Sequence, residues 1–143
     1  MASRLFVRRR DGRIEVRLND AGRALAREAF GHVLAAESDA DHEWHASLNS
    51  PINPGRDVDD PLATLNRQHE ITSHVELAVA TLGEEFLNDA EAWAWLCTLQ
   101  VALRAVITAK GIMSTERLNQ ADEDVRTYIE TLQMLLFSLA EVM

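Results

Sequence analysis

The sequence has one cysteine, six scattered glycines and no long apolar segment. Cys97 alone cannot form an intramolecular disulfide or a cysteine-based zinc site, which fits a reducing compartment. The longest charge-free runs, 44–55 and 92–103, are twelve residues each, whereas about 20 apolar residues are needed to span a bilayer. The arginines at 8–10 are not followed by the apolar run of a signal peptide. We therefore expect a cytoplasmic protein.

Sequence patterns typical of catalysis are also missing. The glycines are too dispersed to form a loop that cradles phosphate, and no Gly-x-Ser-x-Gly sequence indicates a nucleophile. We therefore predict that the protein is not an enzyme and needs no cofactor.

Charge is distributed unevenly along the chain, whose net charge is −9. Residues 1–27 contain eight arginines and three acidic residues, a net charge of +5, and the remainder carries −14. Such an arrangement favours electrostatic steering of a protein partner. A duplex-binding domain is normally basic overall or along one face, so direct DNA binding is not expected.

Residues 4–18 are predicted to form a β-hairpin. Two short runs of apolar and β-branched residues flank Asp11-Gly12, a dipeptide that favours a type I′ turn. A turn centred there pairs Val7 with Val16, Leu5 with Leu18, Arg8 with Glu15 and Phe6 with Arg17. One face is then apolar and the other rich in arginine. Because an isolated hairpin is marginally stable, we expect it to pack on helices.

The arginine-rich face of this hairpin is the surface that the sequence singles out for binding. Arginine makes bidentate contacts with carboxylates or phosphates. Protection of an edge strand against pairing with other sheets is an equally good interpretation. The candidate partner-binding residues are Arg8, Arg10, Arg13 and Arg17.

Apolar periodicity predicts a mainly α fold, a bundle of four to five helices with the N-terminal hairpin packed on it. Asn19 or Asp20 and Asn88 are candidate N-caps, and Gly111 is a candidate helix end. The predicted single domain spans 1–143, with helices at 20–37, 61–85, 89–110 and 117–142 and a long loop at 38–60. A break near Asn66 is an alternative within the second helix.

The last predicted helix carries a heptad pattern of apolar residues. Two uses of the pattern stay open: completion of the bundle core, which the broad apolar stripe favours, and a homodimer through this helix. The seam consists of Val125, Ile129, Leu132, Leu136, Leu139 and Met143.

Two groups of side chains invite a chemical interpretation. His42 and His45, with Asp39 or Asp41, could share a metal ion, although polar loop residues are the simpler interpretation. Cys97 is the candidate redox residue, against the alternative of an inert buried thiol. Glu70 and His74, four residues apart on a helix, are predicted to form a surface pair.

The basic hairpin and the helices after it carry a set of short motifs, at 16–19 leading into Leu25, 60–63, 91–96, 103–106 with 111–112, and Tyr128 with 132–133. In this layout and these residues the chain resembles the actinobacterial AosR-like family of oxidative-stress transcriptional regulators. The resemblance implies an intracellular regulator that binds an alternative sigma factor and influences cysteine-biosynthesis genes.

The family's redox switch is a Cys-x-x-x-Cys pair, and this chain departs from it. Trp93 and Val101 stand four residues to either side of Cys97. An internal disulfide switch is therefore impossible here. Sensing of oxidation would need an intermolecular disulfide, glutathionylation or a partner that senses.

The leading functional hypothesis is a non-enzymatic cytoplasmic regulator that binds a sigma factor or RNA polymerase in the oxidative-stress response. The alternatives are a metal-dependent enzyme that uses the His42/His45 loop and a structural helical oligomer.

Overall fold

The computed structural model describes residues 4–39, 41–45, 61–112 and 114–143, without the side chains of 61–69 and 115. Over these residues the chain forms five helices and one small antiparallel sheet of three strands. The mainly α prediction with an N-terminal hairpin is confirmed. In chain order the elements are β1 (Phe6–Arg8), β2 (Ile14–Val16), α1 (Asp20–Ser38), α2 (Pro61–Ala80), β3 (Phe86–Leu87), α3 (Asp89–Ala109), α4 (Thr115–Gln120) and α5 (Glu123–Val142).

Helix α3 lies at the centre and packs against α1, α2 and α5. Asn88 caps it through a reciprocal capping box with Glu91, which satisfies amide groups that the first helical turn leaves unpaired. Beyond its end Gly111 adopts a φ of +66°, as a helix-terminating glycine does. By length and composition α3 could cross a membrane. Length and composition alone are weak evidence for a membrane span, and α3 packs against three other helices.

The predicted helix boundaries hold at some ends and fail at others. Helix α1 begins after Asn19, whose side chain accepts the Gly22 N–H as predicted. Helix α2 shows no break near Asn66, and it ends at Ala80, five residues before the predicted end. The next residues form a turn and then β3, a two-residue strand that the sequence analysis did not predict.

The last predicted helix is in fact two helices. Ser114 caps α4, and the chain leaves the helical conformation at Ala121 before α5 begins after Asp122. The central seam residues Ile129, Leu132 and Leu139 are buried in the core, so the core interpretation of the heptad pattern is confirmed. A second copy could use those residues only if they left the core.

The hairpin register is shifted by one residue from the prediction. Phe6 pairs with Val16 and Arg8 with Ile14. The predicted pairs, Val7 with Val16 among them, are wrong. Because side chains alternate across a strand, this shift exchanges the two faces of β1. Phe6, not Val7, lies buried against the helices.

The physical reason is a longer turn. The Gly12 N–H donates to the Arg9 carbonyl and the Arg9 N–H donates to the Arg13 carbonyl. Among the described residues no non-glycine residue has a positive φ, whereas Gly12 has a φ of +91°. A type I′ turn needs positive φ at both central residues, so this turn is instead the three-residue form in which a left-handed glycine makes a bulge.

Substitution of Gly12 tests the turn. A Cβ at this position would meet no atom within 4 Å, so any cost is conformational. We expect Gly12→Ala to lower the free energy of unfolding by about 1–2 kcal/mol and Gly12→Asn to lower it by less, because Asn tolerates the left-handed region. Urea denaturation measures both. Equal stability of wild type and the Ala variant would contradict this turn geometry.

Trp95 fills the middle of the core, with only 1% of its surface exposed. Its indole N–H donates to Thr81 Oγ1 at 2.7 Å. The rings of Phe6 and Phe30 meet it edge-on, at centroid distances of 6.3 and 5.3 Å. These are favourable geometries for aromatic pairs. Trp95 thus joins β1, α1 and the segment after α2 to the central helix.

Trp93 provides a matched control for Trp95 on the same helix, since 52% of its surface is exposed. We expect Trp95→Phe to lower the free energy of unfolding by about 2–3 kcal/mol, because it leaves a void and removes a buried hydrogen bond. Trp93→Phe should change it by less than about 0.5 kcal/mol. Urea titration followed by far-ultraviolet circular dichroism compares them. A similar loss of unfolding free energy in both variants would contradict the central position of Trp95 in the core.

Candidate partner-binding surface

The outer face of the sheet, away from the helices, carries arginines arranged around one glutamate. Arg9 Nη1 lies 3.2 Å from Glu15 Oε2, and Arg17 Nε lies 3.2 Å from Glu15 Oε1. The Glu15 side chain is only 18% exposed, against about half for each arginine. One carboxylate thus holds two guanidinium groups in place while both remain open to solvent.

Arg13 extends this arrangement across β3. Its guanidinium lies 4.4 Å from the centroid of the Phe86 ring, within range of a cation–π contact. Glu15 and Phe86 are cross-strand partners, so Phe86 and Arg13 share the face of Glu15. We call the surface formed by Arg9, Arg13, Glu15, Arg17 and Phe86 the basic sheet face.

Asp11 in the turn offsets part of this charge. Arg13 Nε and the Arg13 backbone N–H both donate to its carboxylate, at 2.8 and 3.0 Å. These hydrogen bonds hold the pKa of Asp11 below its ordinary value, so the group stays ionised. Arg10 is exposed at the turn and forms no ion pair with any described residue. Together with Arg10, the surface has four arginines against two carboxylates.

Arg8 lies apart from the basic sheet face and joins distant parts of the fold. Its Nε donates to the Val142 carbonyl at 2.7 Å, and its Nη1 donates to the Gly12 carbonyl at 2.6 Å. The same Nη1 lies 3.3 Å from Asp89 Oδ1. The register explains this placement, since Arg8 shares the inward face of β1 with Phe6. Arg8 therefore connects the hairpin to α5 and to the start of α3.

The four predicted partner-binding residues do not share one face. Arg13 and Arg17 lie on the basic sheet face, Arg10 lies at the adjacent turn and Arg8 lies on the inner side. Sequence reasoning missed Arg9, which takes the place expected for Arg8. The signal for it was the spacing from Arg9 to Arg13, which suits a three-residue turn closed by glycine.

Cys97 lies in a second region, a groove of about 420 Å³ between α2 and α3. Glu70 and His74 line the same groove, a proximity that the sequence analysis did not foresee. The predicted surface pair between Glu70 and His74 is not formed within the described residues. Burial, and secondarily the charge of Glu70, raises the pKa of the Cys97 thiol. The thiolate is the reactive form, so this environment makes Cys97 less reactive.

Alkylation measures the Cys97 environment directly. Because its pKa is raised, we expect Cys97 to react with iodoacetamide more slowly than glutathione at neutral pH, with the midpoint of its rate–pH curve displaced to higher pH. Glu70→Gln should move the midpoint back towards lower pH, and Glu76→Gln, which alters another exposed glutamate of α2, should not. A midpoint at or below that of glutathione would contradict the described environment.

The histidines of the 41–45 segment bind different groups. His42 Nε2 lies 3.3 Å from His32 Nδ1, whereas His45 Nδ1 lies 2.6 Å from the Ala36 carbonyl. Asp39 Oδ1 accepts the backbone N–H of Asp41. Within the described ranges, no three His, Cys, Asp or Glu side chains are placed to hold a metal ion. The predicted 38–60 loop otherwise lies outside the described residues, apart from Ser38, Asp39 and this segment.

Comparison with known proteins gives no family assignment. No family model, no curated protein and no solved structure matches this chain. The surfaces described above are therefore what supports a function.

Proposed function

We propose that this chain is a non-enzymatic cytoplasmic regulator that acts by binding a protein partner, a sigma factor or RNA polymerase, in the oxidative-stress response. The main support for a binding role is the basic sheet face, because it presents exposed arginines on a chain that is otherwise strongly acidic. It would dock on an acidic surface of the partner.

Several properties of the basic sheet face suit a protein interface. Glu15 fixes Arg9 and Arg17, and Phe86 lies under Arg13. Less side-chain entropy is lost on binding when the arginines are already positioned. Arginine and aromatic residues are also the types that contribute most to binding energy at interfaces.

The charge of the rest of the chain favours a protein partner over nucleic acid. Residues after position 27 carry a net charge of −14, which would repel a phosphate backbone approaching over most of the surface. A partner with an acidic patch meets the basic sheet face and avoids the remaining surface. This distribution orients the encounter and should make association salt-dependent.

Protection of an edge strand is the competing explanation for the arginines. β1 is at one edge of the three-stranded sheet, and charged residues on an edge discourage pairing with other chains. If protection were their role, reversing the arginines would increase self-association and leave partner binding unchanged.

Cys97 is not assigned the sensing role in this proposal. Its raised pKa and half-buried position disfavour direct oxidation by peroxide, which attacks thiolates. We place the detection of oxidation in the partner and the binding in this chain.

Charge reversal separates the two explanations. We expect Arg10→Glu combined with Arg17→Glu to weaken binding to purified RNA polymerase or a sigma factor at least about tenfold, equivalent to about 1.4 kcal/mol. The matched control, Arg27→Glu with Arg117→Glu, makes the same charge change at exposed residues of α1 and α4 and should alter affinity less than about twofold. Biolayer interferometry at about 50 mM and about 300 mM salt also measures the salt dependence.

Three outcomes would count against the proposal. Equal weakening in both double variants would indicate a general effect of net charge. Unchanged affinity with new oligomers in light scattering would favour edge protection. Absence of binding by the wild-type chain to the polymerase and to every sigma factor of its source would remove these partners.

A further inference from the structure

Two buried polar groups lack a hydrogen-bond partner among the described residues. They are the indole N–H of Trp44, a residue only 3% exposed, and the hydroxyl of Tyr128. Leaving such a group unpaired costs about 1–3 kcal/mol. Buried polar groups are nearly always satisfied by protein, water or a bound molecule. Each of these donors is therefore a candidate contact for a bound molecule.

Both side chains line the same cleft, which has a volume of about 290 Å³. It lies between α1, the 41–45 segment, the end of α3 and the start of α5. The sheet adjoins the opposite ends of α3 and α5, as the contacts of Arg8 with Asp89 and Val142 show. The cleft is therefore a separate site, remote from the basic sheet face.

A chain of hydrogen bonds holds Trp44 in position without using its indole N–H. The backbone N–H of Trp44 donates to His42 Nδ1 at 3.1 Å, and His42 Nε2 lies 3.3 Å from His32 Nδ1. When His42 is neutral, its Nδ1 accepts, so its Nε2 carries the proton and donates to His32. The His32 ring also packs against the Trp44 ring, at a centroid distance of 5.0 Å. The indole is thus held in place by contacts that leave its N–H without a hydrogen-bond partner among the described residues.

The charged residues around the cleft define the polarity of a ligand. Glu28, Glu43 and Asp124 line it, with Lys110 as the one lysine or arginine among its lining residues. Lys110 Nζ lies 3.9 Å from Glu43 Oε2, and His32 Nε2 lies 3.7 Å from Glu28 Oε1. Asp124 has no ion-pair partner among the described residues. Carboxylates beside aromatic rings favour a cation and disfavour an anion.

We propose that this cleft binds a small primary amine that also carries a carbonyl or amide oxygen. The oxygen accepts hydrogen bonds from the Trp44 indole and the Tyr128 hydroxyl, and the ammonium group lies among the carboxylates of Glu28 and Asp124. Val106 and Val125 contact the apolar part of the molecule. Burial and the nearby charge of Glu28 raise the pKa of Tyr128, so its hydroxyl remains a donor.

The indole N–H signals of the three tryptophans make a test with internal controls. The probe is L-leucinamide, and ¹⁵N–¹H correlation spectra follow the indole groups as it is added. Titration to about 20 mM detects dissociation constants in the millimolar range. We expect the Trp44 signal, assigned by its loss in Trp44→Phe, to move with saturation. The signals of exposed Trp93 and of Trp95, which is bonded to Thr81, should stay in place.

Two matched compounds each lack one recognised group. N-Acetyl-L-leucinamide lacks the ammonium charge and isoamylamine lacks the oxygen, so each should bind at least about tenfold more weakly than L-leucinamide. Tyr128→Phe should also weaken binding of L-leucinamide, by about three- to tenfold, with the melting temperature recorded to confirm folding.

Two results would overturn the proposal. One is a Trp44 signal that no probe moves, which would show that the indole N–H does not take part in binding. The other is equal movement with L-leucinamide and both matched compounds, which would indicate a nonspecific apolar effect. Both results come from the wild-type chain, so neither depends on whether a variant folds.

Discussion

The environment of Trp95 is the constraint on which the rest of the structure depends. A large indole can be buried deeply only if its N–H finds an acceptor and its faces and edges are covered. Thr81 supplies the acceptor, and Phe6 and Phe30 cover the ring. The sheet, with strands of two or three residues, is too small to be stable alone. Its attachment through Phe6 fixes where the basic sheet face points.

Helical spacing and capping residues made most of the helical framework predictable. Asn19 and Asn88 mark helix starts and Gly111 marks an end, because each satisfies a local requirement that is visible in the sequence. The division of the last helix was also signalled. Asp122 is followed by two acidic residues, a pattern typical of a helix N-terminus, but the continuous apolar stripe obscured it.

Features that depend on tertiary contacts were less accessible. Asp11-Gly12 fits two turn types, and the choice between them decides whether Arg8 or Arg9 faces solvent. β3 is too short for a periodic signal and exists because it pairs with β2. Trp44 lies in a polar stretch, and nothing near it in sequence indicates that Tyr128 lines the same cleft. The basic region was therefore predictable, whereas its exact members and the cleft were not.

The hydrogen bond from Arg8 to Val142 spans 134 positions of the chain, and this has a consequence for synthesis on the ribosome. An emerging N-terminal segment already contains every hairpin arginine, but the carbonyl that anchors Arg8 belongs to α5, which is made much later. Contacts between such distant residues form late because the loop they close is long. A nascent fragment therefore presents all the hairpin arginines before Arg8 can be anchored, and this anchor forms only after α5 has been synthesised and has docked.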